Sequence, residues 1–172
     1  KALSAIRNFF WLEFADFYIE EVKYRVYDDS NKSGKAAKAV LLKILTEMVK
    51  MLAPFVPHTC EEIFRANFKG TMKTDSVHLE KWPEAEEKLI DEEAEKIGET
   101  AKSIIAALRK YKSDKKLAMN AELGKVIVFA EKTKGLEEAL EDIKRTMNLK
   151  EIAIAKGEGK IAVSEGISLE VE

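Results

Sequence analysis

Leu52-Ala53-Pro54-Phe55-Val56-Pro57-His58, followed by Glu61-Glu62-Ile63, ends one helix and begins another. Proline fixes φ, lacks an N–H for an interior helical hydrogen bond, and is best tolerated in the first helical turn. Pro54 therefore closes the preceding helix, and Pro57 is placed to open the next. Thr59 and Glu62 stand at capping-box spacing, which offers a slightly later start. The stretch reads as a tight corner between two helices, and the chain around it as a helical bundle.

Upstream, Leu41, Ile44, Leu45, Met48 and Leu52 recur at helical spacing, with Lys35, Lys38, Lys43 and Lys50 largely on the other side. Residues 2 to 26 form a longer helix with a broad apolar arc of Leu3, Ile6, Phe10, Phe14 and Phe17, flanked by Trp11, Tyr18 and Val22. A polar loop, Asp28 to Gly34, joins the two. Downstream, the third helix runs to about Phe68 and stops at Gly70. Ser76-Val77-His78-Leu79 is expected to be extended, and Trp82-Pro83 to open another helix. Ile90, Ala94, Ile97, Ala101, Ile104, Leu108 and Tyr111 then alternate in steps of four and three, the seam of one helix in a bundle.

The pattern changes near residue 120. Lys125 to Ala130 is short and β-branched, Leu136, Leu140, Ile143 and Met147 are helical, and Ile152 and Ile154 alternate. Gly157-Glu158-Gly159 is a candidate hairpin turn before Ile161 and Val163, then Ile167, Leu169 and Val171. The expected fold is α+β: a helical bundle over 1–116, a linker over 117–124, and a small β-α-β-β-β domain over 125–172.

With 172 residues, 46% hydrophobic and 35% charged, the chain can bury a real core and is not of disordered composition. Its one cysteine, Cys60, can form no internal disulfide, so a reducing, cytoplasmic setting is the default. No apolar run approaches the roughly 20 residues that span a bilayer. The chain opens on Lys1 inside a helical pattern, as a piece of a longer protein would.

Chemistry-bearing motifs are few. The chain has no phosphate-binding glycine loop, no nucleophile elbow and no paired cysteines. His58 and Cys60 alone do not make a zinc site, and adjacent Glu61 and Glu62 diverge on a helix, so no metal and no catalytic residue are expected. The charge pattern says more. The net charge is −2, and residues 84 to 101 hold eight acids against two lysines. Residues 102 to 116 hold Lys102, Arg109, Lys110, Lys112, Lys115 and Lys116 against Asp114 alone. Such a gradient suits a helix dipole, yet the bases run past the expected helix end into a loop, where the dipole offers nothing. Bases around Tyr111 are the residue types that hold phosphates and stack unpaired bases.

Asn8-Phe9-Phe10-Trp11-Leu12-Glu13-Phe14-Ala15-Asp16-Phe17-Tyr18-Ile19-Glu20 resembles a helix of the valine and isoleucine enzymes, within the class I aminoacyl-tRNA synthetase group that also takes in leucine and methionine. Ala15 and Phe17 stand where that helix usually has Cys and Trp. The corner from Leu52 to Ile63 is similar to the group's L-A-P-F-x-P-H-x-x-E-E-I/L, and Ser76 to Leu79 with Trp82-Pro83 to its S-V-H-L-x-x-W-P. Ala107-Leu108-Arg109, Lys115-Lys116-Leu117 and Asn120 look most like the valine enzymes, archaeal forms in particular.

The resemblance implies the region that binds the tRNA anticodon arm, and the basic cluster within 102 to 116 makes Arg109, Lys112, Lys115 and Lys116 the expected contacts, with Arg7 and Trp11 of the first helix as further ones. The HIGH and KMSKS signatures, the ATP-binding Rossmann domain and the Lys-Leu-Trp-Asn helix are absent. The chain is thus expected to be catalytically silent and without a cofactor. The parent would supply the catalytic domain, ATP and magnesium. The same region of an isoleucine or leucine enzyme, or a helical protein-interaction module, are the alternatives.

Overall fold

The computed structural model describes residues 1–28, 30–68, 72, 74–130 and 135–172. Asp29 of the first loop and the expected stop at Gly70 lie outside the described residues. The chain divides into two compact units, Lys1–Glu87 and Lys88–Glu172. The seam lies well before residue 116, so the fourth long helix folds with the sheet rather than with the helices before it.

In the first unit, α1 (Ala2–Asn8), a π-helical stretch (Phe9–Ile19) and α2 (Glu20–Tyr27) follow without a break, since the joining residues keep helical φ and ψ. The π winding alters the face that an α period predicts. Phe9, five residues before Phe14, stacks on it with centroids 6.3 Å apart, and Tyr18, four residues after it, stacks at 6.1 Å. Of the expected arc, Phe14 and Val22 are buried, while Leu3 and Trp11 are exposed. Asp28 and Asn31 hold the following turn by accepting from Ser30 and Ser33. At Gly34 a Cβ would stand 2.4 Å from the Arg25 carbonyl oxygen, so only glycine lets α3 (Gly34–Leu52) begin against α2.

The proline corner forms as the sequence suggests. Phe55 and Val56 both donate their N–H to the Leu52 carbonyl, and α4 (Pro57–Asn67) starts with Pro57 in its first turn. The earlier start wins over the capping box. Val49, Ala53, Cys60, Phe64, Phe68 and Val77 make the core beneath the corner, with Leu52, Ile63 and Met72 packed against it. Val77–Leu79, expected to be extended, is one 3₁₀ turn capped by Ser76. Trp82-Pro83 opens no helix. Asp91 does so instead, accepting from Glu93 and Ala94 as an ordinary N-cap.

The second unit holds α5 (Glu92–Asp114), β1 (Leu123–Ala130), α6 (Leu136–Met147), β2 (Leu149–Ala155), β3 (Ile161–Ser164) and β4 (Ile167–Val171). The sheet order is β2-β1-β4-β3. β1 runs parallel to β2, with Val128 opposite Ile154, and antiparallel to β4, with Val128 opposite Leu169. Residues 157 to 159 therefore turn no hairpin. A parallel partner for β1 puts β2 on one edge, and the chain then travels to the far edge, where Glu165-Gly166 makes the β3–β4 turn with Gly166 at φ 73°. α5 packs on α6 and β3, and α6 on β2. The core comprises Ile104, Ile105 and Leu108 of α5, Ile143 and Met147 of α6, and Val126, Val128 and Leu169 of the sheet. The predicted α+β class is correct.

Candidate nucleic-acid interface

The basic run of α5 is divided by the burial of that helix. Ala101, Ile104, Ile105, Leu108 and Lys112 form its buried face, at steps of three and four. Lys112 is thus the last residue of an apolar stripe and is completely buried. Its ammonium donates to the carbonyls of Met119 at 2.9 Å, Ala121 at 2.7 Å and Met147 at 2.7 Å. Three donors meet three acceptors, which is what makes a buried ammonium tolerable. Burial pushes its pKa below the ordinary lysine range. The expectation that Lys112 reaches a phosphate does not fit this placement, because no face of the ammonium meets solvent. The signal was in the sequence: Lys112 stands four residues after Leu108, on the stripe itself.

The neighbours of Lys112 point outward. Arg109 is half-buried, Lys110, Lys115 and Lys116 are exposed, and the Lys115 ammonium lies 5.9 Å from the centre of the Tyr111 ring. α5 ends in a Schellman turn: Leu117 donates to the Lys112 carbonyl at 2.8 Å and Lys116 to the Ser113 carbonyl at 2.9 Å. Lys116 takes the left-handed position, φ 54°, where glycine is usual. Four bases and a tyrosine therefore surround the end of one helix, an arrangement that can hold backbone phosphates. Arg7 and Trp11 are exposed on the first helix, four residues apart, and belong to the other unit.

Three residues outside the expected set tie chain segments together here. Glu61 of α4 accepts from the Ser76 hydroxyl at 2.9 Å, from the Val77 N–H at 3.0 Å and from Arg65 at 2.7 Å. The proline corner and the Ser-Val-His-Leu segment are thereby one assembly. Partial burial raises the Glu61 pKa, but bonds from Ser76, Arg65 and Val77 outweigh it and hold the carboxyl below its usual range. Glu80 is held low as well, first by the Thr74 hydroxyl and then by Lys50 at 3.1 Å. Asn148, at the end of α6, donates its amide to the Asn120 carbonyl at 2.9 Å. Neither glutamate nor asparagine announces itself by spacing, since their partners lie across chain folds.

Cys60 faces the core and His58 is exposed, so the pair does not converge. Among the described residues no three His, Cys, Asp or Glu side chains gather to hold a metal, and no helix is long and apolar enough to cross a membrane.

Residues 1–128 match the family model of the anticodon-binding domain of tRNA ligase. The valine–tRNA ligase of Pyrococcus abyssi is 44% identical over 157 residues, 91% of this chain and 18% of that protein. That of Pyrococcus horikoshii is 47% identical over 155 residues, 88% of this chain and 17% of its own length. That of Archaeoglobus fulgidus is 46% identical over 137 residues, covering 80% and 15%. The chain spans less than a fifth of the length of these curated relatives.

Proposed function

The chain belongs to the family of anticodon-binding domains of tRNA ligases, and from that premise we propose that it holds the anticodon arm of a valine tRNA. The observation that carries this reading is the family match across residues 1–128, which takes in the whole first unit and all of α5. The choice of valine over isoleucine, leucine or methionine is supported by relatives named valine–tRNA ligase at 43–47% identity. Arg109, Lys115 and Lys116 contact the RNA backbone, with Arg7 and Trp11 as contacts from the first helix. Lys112 supports from behind.

In this reading the work of the chain is binding and orientation. A catalytic part elsewhere in a longer cytoplasmic polypeptide supplies the ATP- and magnesium-dependent attachment of valine. Leu42 and Leu45 of α3, three residues apart on one side of the helix, are exposed and give that remainder an apolar patch to pack on. The test is titration of the chain with transcribed valine tRNA, isoleucine tRNA and an unrelated hairpin at one salt concentration. Tighter binding of valine tRNA is expected. Equal binding of the hairpin would remove the anticodon reading, and preference for isoleucine tRNA would change only the amino acid.

A further inference from the structure

The loop that follows α5, residues 115 to 122, is built in an uncommon way. Lys115, Lys116, Leu117, Ala118, Met119 and Asn120 all have exposed side chains, and Leu117 and Met119 are 40% and 55% accessible. A surface loop with no side chain folded beneath it would ordinarily be loose. Here the backbone is gripped from below. The carbonyls of Met119 and Ala121 accept from the buried Lys112 ammonium, and the Asn120 carbonyl between them accepts from the Asn148 amide. Three consecutive carbonyls are thus held, two by the buried ammonium and the one between them by the surface amide of Asn148, and Ala121 closes a turn by donating to the Ala118 carbonyl at 2.9 Å. At the other end, Lys116 occupies a left-handed conformation that is unfavourable for a non-glycine residue. Glycine there would be free of that cost but would lose the ammonium.

We propose that Lys112 and Asn148 are positioning residues that hold this loop ready for RNA, so that Lys115 and Lys116 meet phosphates while Leu117 and Met119 lie against an unpaired base. The proposal rests on the reading of the chain as an anticodon-arm binder and adds to it which part of the arm is met. Two ammonium groups followed directly by two bare apolar side chains suit single-stranded RNA, where phosphate and base face are both open. A duplex would bury its base faces and leave Leu117 and Met119 without a partner. A preformed loop also avoids the ordering cost that a loose one incurs at contact.

Two variants separate support from contact. Lys112→Met keeps the apolar stem and removes the three donors. Asn148→Gly is compatible with the left-handed backbone, φ 52°, and removes the side chain that carries the amide. Each variant of the 172-residue chain is titrated with valine tRNA across a salt series and followed by amide hydrogen exchange at residues 117 to 121. Both should bind roughly five- to tenfold more weakly, with faster exchange in the loop and an unchanged salt slope, because neither side chain touches a phosphate. A slope reduced by about one unit in Lys112→Met would mean direct phosphate contact and overturn the positioning role. Unchanged affinity in both variants, while Lys115→Ala still weakens binding, would overturn it too and leave the anticodon reading standing. If Lys112→Met fails to fold, Asn148→Gly alone decides. Failure of the unaltered chain to bind any tRNA would refute the underlying reading instead.

Discussion

Replacing Lys115 and Lys116 together with alanine should cost the chain two phosphate contacts. Counting bases along the sequence would have made it three for the run Lys112, Lys115, Lys116, but the Lys112 ammonium is spent on three backbone carbonyls. Each phosphate neutralised contributes about 0.7 units to the log–log salt slope on single strands and about 0.9 on duplex. The double variant should therefore bind tRNA with a slope flatter by about 1.4 to 1.8. Between 50 and 200 mM salt the unaltered chain would then lose about seven- to twelvefold more affinity than the variant. Fluorescence anisotropy with labelled valine tRNA over that range reads the difference directly. Melting temperature should hardly move, since exposed charges contribute at most about 1 kcal/mol each. An unchanged slope would refute the placement of these lysines against RNA and leave them as a solvated helix end.

Three other outcomes are expected. Lys116→Gly should stabilise the chain by about 0.5–1 kcal/mol through relief of the left-handed backbone, yet weaken tRNA binding, a pairing that thermal denaturation and titration can check together. Phe64→Ala, which empties the fully buried centre of the proline corner, should cost about 3–5 kcal/mol in denaturant unfolding. Glu61 and Glu80 have folded pKa values below the ordinary 4.5, so their stabilisation is present above that pH and lost as pH falls through the lower folded values. Melting temperatures measured from pH 7 down to pH 3 should fall less steeply in Glu61→Gln/Glu80→Gln than in the unaltered chain.

Local chemistry made the corner and the α+β order legible. Pro54 and Pro57 act on their own neighbours, and β-branched Val126 to Val128 read as a strand wherever they pair. What escaped was decided at a distance. Gly157 to Gly159 has turn composition, but which strand follows which in the sheet depends on β1 accepting β2 as a parallel neighbour. Trp82-Pro83 opens no helix, and α5 begins instead at Asp91, whose carboxylate accepts from two backbone donors. The π winding of residues 9 to 19 carried no warning in an α-periodic pattern. At the candidate site the bases were visible as charge, yet charge alone could not tell Lys112 from Lys115. Extending the 101, 104, 105, 108 stripe by one more step would have done so.

The central position of β1 bears on how the chain folds as it is made. Lys125 to Ala130 is the most strand-prone run in the second unit, and Lys125 is its one charged residue. Its parallel neighbour arrives soon after, through α6, but the opposite edge waits for Ile167 to Val171. Until those residues emerge, Ile127, Val128 and Phe129 present an unpaired and largely uncharged edge, the kind that recruits strands from other molecules. Nascent chains that stall between β2 and β4 should be the aggregating species, and β4 is in effect the strand that ends the hazard.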